Sequence, residues 1–311
     1  MSGPGPLRTR SLDRCPGCGM ADLAPLPLRY EFRGVFPLVE CSGCRLRFLR
    51  IQPVGESLAE LYAPEYFERD FRCGRSDSAY FSEDAFRAEN VALLDEFEAL
   101  APRAATATAP ARRLLEVGCA GGWLLKHARE RGWEAHGAEL SSAAVAHART
   151  LGLDVFEGDL LDAKLPAASV DLVYMGDVLE HLPDCRAALD EVARVLAPRG
   201  HVYLRGPITT NSLARRLALA VYRAGGATIV LREPPYHLWE FTPRALRGLF
   251  ERAGFELTRL KQSKIPPGRQ HGRKNRFERA ALYALDVLNL PLTRLLNVAG
   301  DRIVIVGRKS G

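Results

Sequence analysis

The stretch Leu114-Leu-Glu-Val-Gly-Cys-Ala-Gly-Gly-Trp123 decides the fold of this chain. It has the pattern of an apolar strand followed by a glycine-rich turn and the start of a helix. Glycine lets the backbone approach a ligand closely, and a helix N-terminus presents unpaired N–H groups. The spacing departs from the GxGxxG pattern of dinucleotide-binding loops, so a dinucleotide is a less attractive ligand. The stretch therefore predicts an α/β fold with a ligand-binding loop after its first strand.

Two acidic side chains follow the next two predicted strands. Glu139 ends the second strand, 23 residues after Glu116, and a carboxylate at that place accepts hydrogen bonds from ribose hydroxyls in adenosine-binding folds. Asp159 lies in Gly158-Asp-Leu, directly after the third strand. The alternatives are a cap on the helix that starts at Ser141, for Glu139, and a plain loop acid, for Asp159. Their joint spacing favours an adenosine-containing ligand.

From Arg112 onward, apolar segments alternate with helical ones, which predicts a mostly parallel sheet with helices on both faces. The predicted strands are 113–117, 134–139, 153–156, 170–175, 200–204, 255–260 and 302–306, and the predicted helices lie near 122–132, 141–150, 184–197 and 242–253. The expected fold class is α/β, with a Rossmann-like seven-stranded sheet over residues 112–311. Residues 57–70 and 78–100 have helical periodicity, so 51–111 is assigned as a helical N-terminal segment and linker.

Four of the seven cysteines form two pairs, Cys15-Pro-Gly-Cys18 and Cys41-Ser-Gly-Cys44. In a chain without an export signal, such pairs indicate metal ligands rather than disulfides. The two-residue spacing lets both thiolates of a pair face one tetrahedral ion, with the glycine of each pair supplying a positive φ. We therefore expect a structural zinc in a compact zinc-ribbon-like module over residues 12–50. The alternatives are unconnected thiols or a redox site, and neither explains the duplication.

The loop and the two acids together resemble the class I S-adenosylmethionine-dependent methyltransferases. The loop is similar to their first motif at Glu116, Gly118, Ala120 and Gly122, although many members carry glycine where this chain has Ala120. The resemblance spans roughly residues 114–260. It implies that the loop wraps the methionine half of S-adenosylmethionine, that Glu139 binds the ribose, and that Asp159 meets the adenine amino group.

The segment 173–181 resembles the "VLEH" element of the branch that includes ubiquinone-biosynthesis O-methyltransferases and many sugar and natural-product enzymes. In it, Asp177 is assigned to the cofactor side. Some relatives hold a divalent ion with this acid-x-x-Glu-His pattern, so Asp177, Glu180 and His181 suit Mg²⁺, unless Glu180 and His181 are structural. A hydroxyl acceptor must lose a proton, which calls for a base. His181 is the first candidate and His237, in an "HLxxFT"-like element, is the second.

Three classes of function remain open. The first is a small-molecule O-methyltransferase acting on a sugar, lipid or natural-product hydroxyl. The paired cysteines also resemble the zinc region of deoxysugar C-methyltransferases, but the chain is too short for their extra C-terminal domain. The second is an rRNA or tRNA methyltransferase, which the net charge of +6 and the pI near 9.0 suit. Against it, a (D/N)PPY-like motif is missing and aromatics are not interleaved with basic residues. The third is a non-catalytic zinc-ribbon scaffold protein. The presence of Glu116, Glu139 and Asp159 together argues against it.

The remaining expectations concern surfaces and location. Residues 261–279 contain seven Lys or Arg and one acid, which predicts either a loop that grips a phosphate-bearing acceptor or a solvated insertion. Residues 280–298 predict an amphipathic helix that packs on the domain, on a second subunit in a homodimer, or on a membrane surface. No stretch approaches 18 uninterrupted apolar residues, and residues 1–11 lack the apolar core of a secretory signal. We therefore expect no transmembrane segment and a cytoplasmic location.

Overall fold

The computed structural model describes residues 5–61, 83–102, 111–265 and 276–310. Its N-terminal part contains five strands: β1 (Thr9–Ser11), β2 (Leu23–Glu31), β3 (Val35–Cys41), β4 (Arg47–Leu49) and β5 (Ile51–Pro53). Strands β2, β3 and β4 form an antiparallel meander, and β1 pairs with β5 in a separate two-stranded sheet. Side chains alternate between buried and less buried along β2, as expected for a sheet that covers a core with one face.

Two helices, α1 (Glu56–Leu61) and α2 (Glu83–Leu100), follow these strands. The helix predicted over 57–70 is described only as far as Leu61, and the helix predicted over 78–100 only from Glu83 onward. Their remaining residues lie outside the described part of the chain. Helix α2 begins with two acids, which suit the positive end of the helix dipole, and its Phe97 is fully buried against the main sheet.

The elements from residue 112 onward alternate as the sequence predicts. The strands are β6 (Arg112–Val117), β7 (Trp133–Glu139), β8 (Asp154–Glu157), β9 (Val170–Gly176), β10 (Leu196–Pro207), β11 (Ile229–Leu231), β12 (Trp239–Glu240), β13 (Phe255–Ser263) and β14 (Arg302–Lys309). The helices are α3 (Trp123–Glu130), α4 (Ser142–Thr150), α5 (Cys185–Val195), α6 (Leu213–Ala224), α7 (Pro243–Arg252) and α8 (Arg276–Leu296).

Seven of these strands form the main sheet in the order β13-β14-β10-β9-β6-β7-β8. Strands β6 to β10 are parallel to their neighbours among themselves, whereas β14 is antiparallel to both β10 and β13. The expectation of a Rossmann-like, mostly parallel seven-stranded sheet is therefore confirmed. In such a sheet the carboxyl ends of the parallel strands meet at one edge, where ligands bind.

Both faces of the main sheet are covered. Along β9, Leu172 and Tyr174 pack into a core formed with α2, α3 and α4, whereas Val173 and Met175 pack into a second core on the opposite face. The second core also contains α5, α7 and the N-terminal strands. This alternation follows from the two-residue repeat of a strand, and it explains why β9 is apolar throughout its interior.

The N-terminal strands share a sheet with the C-terminal half of the chain. Strand β11 pairs in parallel with β2, and β12 pairs antiparallel with β4, which gives the order β11-β2-β3-β4-β12. The hydroxyl of Thr242, the N-cap of α7, also donates to the carbonyl of Arg45 at 3.1 Å. The sequence predicted neither β11 nor β12. Whether residues 12–50 form a domain of their own stays a prediction.

Candidate cofactor and acceptor site

The loop after β6 has a backbone that requires glycine at two positions. Gly118 and Gly122 have φ values of +71° and +83°. A Cβ at Gly118 would lie 2.3 Å from Cγ2 of Val178, and one at Gly122 would lie 2.5 Å from Cδ1 of Leu153. Ala120 adopts a left-handed conformation with φ +49° despite its methyl group. The contact with Val178 places this loop directly against the "VLEH" segment.

Glu139 connects the end of β7 to the loop. One carboxylate oxygen accepts from the backbone N–H of Ala120 at 2.9 Å, and the other accepts from the N–H of Ser141 at 2.8 Å. The side chain is only 8% exposed. Burial raises the pKa of Glu139, and the two backbone hydrogen bonds partly oppose this shift. Glu139 therefore connects the loop to Ser141, the N-cap of α4, and its contact with a ribose stays a prediction.

Glu116 is a buried acid near the same loop. Its Oε2 atom is buried without a hydrogen-bond partner among the described residues. Burial, together with the charge of Glu139, raises the pKa of Glu116 well above its ordinary value. A buried carboxylate oxygen without a partner fits a ligand that brings a positive charge or a donor group. The methionine half of S-adenosylmethionine carries an ammonium and a sulfonium, so the residues present fit this cofactor.

Asp159 follows β8, where the sequence analysis placed it. Its Oδ1 accepts from the backbone N–H of Leu161 at 2.9 Å, and the side chain is half-buried. The preceding Gly158 donates its N–H to the carbonyl of Glu139 at 2.9 Å. The sheet thus brings Glu116, Glu139 and Asp159 to the carboxyl ends of three adjacent strands. Their individual contacts with a cofactor stay predictions.

Asp177 begins the acceptor side, directly after β9. It has a positive φ of +56°, and both of its carboxylate oxygens lie 2.7 Å from Nη2 of Arg302, the first residue of β14. Its backbone N–H donates to the carbonyl of Arg205 at 2.7 Å. The sequence analysis missed Arg302, because nothing near this residue in the chain marks it as the partner of Asp177. The assignment of Asp177 to the cofactor stays a prediction.

Glu180 and His181 follow Asp177 in the chain and are more buried than it is. Glu180 is 2% exposed, and its Oε1 lacks a hydrogen-bond partner among the described residues. Burial and the nearby charge of Asp177 raise the pKa of Glu180 to about 8. Nδ1 of His181 lies 3.0 Å from the carbonyl of Tyr236, a geometry in which the ring N–H donates. Burial and the neighbouring His237 lower the pKa of His181 to about 3, so this ring is neutral at physiological pH.

His237 contacts His181 but has the opposite shift. The two ring centroids lie 4.9 Å apart at an interplanar angle of 69°. Burial alone would lower the pKa of His237, but its contact with Glu240 and the charge of Glu180 raise it. Nδ1 of His237 lies 3.8 Å from Oε1 of Glu240. Opposed shifts in two adjacent titratable groups are typical of an acid–base site.

The same side chains form a possible ligand set for a metal. One ligand atom each from Glu180, His181 and His237 lies within 4.8 Å of the others. Two imidazoles and one carboxylate suit a transition ion, whereas Mg²⁺ prefers oxygen ligands. Asp177, which the sequence analysis grouped with Glu180 and His181 for Mg²⁺, is already paired with Arg302. The arrangement therefore gives no support to Mg²⁺.

The four paired cysteines meet at one point. Sγ of Cys15 lies 3.4 Å from that of Cys44, and Sγ of Cys18 lies 3.5 Å from that of Cys41. A tetrahedral zinc with Zn–S distances of about 2.3 Å separates its sulfurs by about 3.8 Å, so these residues fit the ion. The contact between the two sulfurs lowers the pKa of Cys44 to about 5 and raises the pKa of Cys15, so the pair shares one proton until a metal displaces it.

One detail of the cysteine turns was predicted wrongly. The glycines inside the pairs, Gly17 and Gly43, do not have a positive φ. The left-handed residues are Gly19 and Arg45, each directly after the second cysteine of its pair, with φ values of +77° and +65°. A Cβ at Gly43 would lie 2.9 Å from Sδ of Met20, whose exposed and flexible side chain can move aside. The positive φ therefore occurs two residues later than expected, directly after the second cysteine of each pair.

Residues 86–260, more than half of the chain, match a family model described as "Methyltransferase domain". The chain belongs to this methyltransferase family. It is 36% identical over 100 residues to the ubiquinone biosynthesis O-methyltransferase of Alkalilimnicola ehrlichii, which covers 29% of this chain and 40% of that protein. It is 34% identical over 148 residues to a probable S-adenosylmethionine-dependent methyltransferase of Mycolicibacterium smegmatis, which covers 47% of this chain and 52% of that protein.

The solved structures show the same methyltransferase fold. A SAM-dependent methyltransferase from Archaeoglobus fulgidus superposes with a TM-score of 0.50 over 78% of this chain and 99% of that protein, at 17% identity. The expectation of a methyltransferase of the S-adenosylmethionine-dependent class is therefore confirmed. The chain spans about half or less of the length of the two curated relatives above.

Proposed function

We propose that the protein transfers a methyl group from S-adenosylmethionine to a hydroxyl of a small-molecule acceptor. The observation that carries this proposal is the contact of two imidazoles, His181 and His237, beyond the carboxyl end of β9, with Glu240 beside His237. The opposed directions of their pKa shifts support it. The loop after β6 touches the same segment at Val178, so a cofactor on the loop and an acceptor at the histidines would be neighbours. The O-methyltransferase named among the relatives supports a hydroxyl acceptor.

Each side chain of the site has a role in this proposal. S-adenosylmethionine, when bound, supplies a methyl group on a positively charged sulfur. Glu139 accepts hydrogen bonds from the ribose, and Glu116 faces the positive charge of the methionine half. His237 takes the proton of the acceptor hydroxyl as the oxygen attacks carbon, because its raised pKa makes it the stronger base. His181 donates to the carbonyl of Tyr236, and its own neutral ring packs beside that of His237.

A metal is the second way in which this site can ionise a hydroxyl. A divalent transition ion held by Glu180, His181 and His237 would supply a Lewis acid that lowers the pKa of a hydroxyl bound to it. Zinc at the four cysteines has no such role, since four thiolate ligands leave no open coordination position. A small-molecule acceptor, a homodimer and a cytoplasmic location stay predictions, and so does the division into residues 12–50, 51–111 and 112–311.

The experiment that tests the proposal is methyl transfer from labelled S-adenosylmethionine to a panel of phenols and sugars. Each compound is compared with an analogue in which an amine replaces the hydroxyl. We expect label on the hydroxyl compounds and release of one S-adenosylhomocysteine per methyl group. His237→Gln should reduce turnover strongly while cofactor affinity stays unchanged. His136→Gln is the matched control, because His136 is a half-exposed histidine paired with Asp154 on the neighbouring strand. Methylation of the amines alone would overturn the proposal.

A further inference from the structure

Helix α8 turns three polar side chains toward the protein. Asp286, Asn289 and Thr293 are only 2%, 1% and 2% exposed. Nζ of Lys264 lies 2.8 Å from Oδ1 of Asp286, and Nδ2 of Asn289 donates to the carbonyl of Ala299 at 2.7 Å. Buried contacts of this kind are costly to break, because each separated group would remain without a partner. They therefore hold the helix in one rotational setting.

The outward side of the same helix is apolar. Among its exposed side chains, Tyr283 is 54% exposed, Leu288 65%, Leu295 82% and Leu296 63%. A surface helix in water has the reverse arrangement, with its apolar stripe against the core. A contiguous exposed apolar surface marks a site of contact with another apolar surface. The setting imposed by Asp286 and Asn289 thus leaves this apolar side of α8 exposed among the described residues.

Helix α6 extends the apolar surface. It packs beside α8 and exposes Leu217, Val221 and Tyr222 at 50%, 60% and 40%. Its sequence, LARRLALAVYRA, contains three arginines and no acid. We call the exposed side chains of α6 together with those of α8 the α6/α8 face.

The charges around the α6/α8 face are positive. Arg216 and Arg223 on α6, Arg294 on α8 and Lys261 on β13 are exposed. Asp286 is the one acid among the side chains described for α8, and it is buried against Lys264. Beside the face, a cavity of about 460 Å³ is lined by Lys261, Ser263, Thr293, Arg294 and Asn297. The exposed cations Lys261 and Arg294 at this cavity suit a phosphate group, whereas the hydroxyl of Thr293 is buried and donates to the carbonyl of Asn289.

We propose that the α6/α8 face docks on the surface of an anionic lipid bilayer, with the leucines among the acyl chains and the arginines at the headgroup phosphates. An apolar face rimmed by Arg and Lys is the pattern of an interfacial helix. A second copy of the chain fits less well, since a two-fold interface would bring these cations against one another. No helix among the described residues is long and apolar enough to span a bilayer. The contact is therefore one with the membrane surface.

The test is co-sedimentation of the full chain with vesicles of phosphatidylcholine containing phosphatidylglycerol, compared with phosphatidylcholine alone. We expect the wild type to bind the anionic vesicles. Replacing an exposed leucine removes a contribution that corresponds to about tenfold in partitioning, so the double variant Leu288→Gln/Leu295→Gln should bind about a hundredfold more weakly. Arg216→Gln/Arg223→Gln should reduce binding to the anionic vesicles by about tenfold or more.

The matched control is Val35→Gln, which removes a 53% exposed apolar side chain on β3, away from the α6/α8 face. Because β3 pairs with β2, which contacts α6, a second control is Phe156→Gln, at a 37% exposed side chain on β8, the edge of the main sheet opposite the strand β13 that contacts α8. Phe156→Gln should bind vesicles like the wild type. Unchanged binding of S-adenosylmethionine by the double variant would show that it is folded, and this readout does not depend on methyl transfer. The proposal is overturned if the wild type stays in the supernatant or if the double variant binds as tightly. A wild-type dimer that the leucine substitutions dissociate, without vesicle binding, would also overturn it.

Discussion

Replacing Glu139 with glutamine tests the cofactor site most directly. The carboxylate accepts from two backbone N–H groups, of Ala120 and Ser141, and a glutamine side chain has only one oxygen for them. Its NH₂ group would face either a backbone donor or, with cofactor bound, a ribose hydroxyl. A lost hydrogen bond to a charged group costs about 1.5–3 kcal/mol, which corresponds to about a 10- to 150-fold weaker affinity. We expect Glu139→Gln to weaken S-adenosylmethionine binding by this factor.

Isothermal titration of zinc-replete protein measures this change. Glu157→Gln is the matched control, because Glu157 ends β8 directly opposite Glu139 in the register but is exposed and contacts Ser142 and Arg149. It should bind the cofactor like the wild type. An unchanged affinity for Glu139→Gln would refute the assignment of the ribose site. Equal weakening of cofactor binding in both variants would show that the two carboxylates affect the cofactor only through their negative charge, without a specific contact.

Three further predictions follow from the acceptor side and the cysteines. First, the pKa of Glu180 is about 8 in the folded protein against 4.5 for a free carboxyl, so ionising it costs stability as the pH rises between these values. At pH 7 the cost is at most about 3 kcal/mol, and urea unfolding at pH 5 and 7 should show a decline that Glu180→Gln removes. Second, the base must be neutral, so kcat/KM should rise with pH through a pKa above 6.5, and His237→Gln should abolish that rise. A chelator that removes activity without removing the cysteine-bound zinc would favour the metal instead. Third, Cys41→Ser should lower zinc content and the unfolding temperature, whereas Cys185→Ala, at a buried cysteine of α5, should keep its zinc; equal zinc in both variants contradicts the cluster.

The main sheet was predictable because its strands are long apolar segments separated by helices of normal length. The two short strands β11 and β12 were not, since three or two residues carry no measurable periodicity. Helix α8 shows a different limit. Periodicity predicted an amphipathic helix at 280–298, but a stripe in the sequence does not tell which side faces the protein. The buried contacts of Asp286 with Lys264 decide this, and they join residues from separate elements.

The site shows the same division between local and distant information. Glu139 and Asp159 were found because each lies at or just after the end of an apolar strand, and Glu116 was found through the resemblance of the loop to the first methyltransferase motif. Glu240 was missed although it lies three residues after His237, where an acid near a candidate base could have drawn attention. Arg302 gave no such signal, because its contact with Asp177 joins positions 125 residues apart and depends on the antiparallel placement of β14.

The sheet shared by β2–β4 and β11–β12 has a consequence for synthesis of the chain. Thr242 bonds to Arg45, 197 residues earlier, and β12 covers the open edge of β4 only after it has been translated. At about 5–20 residues per second, the edge strand waits on the order of ten seconds or more on the ribosome. During this time a metal held by the four cysteines would stabilise the nascent meander, although the edge of β4 is still unpaired. The zinc would then act already before the chain is finished, when it lowers the chance that β4 pairs with another nascent chain.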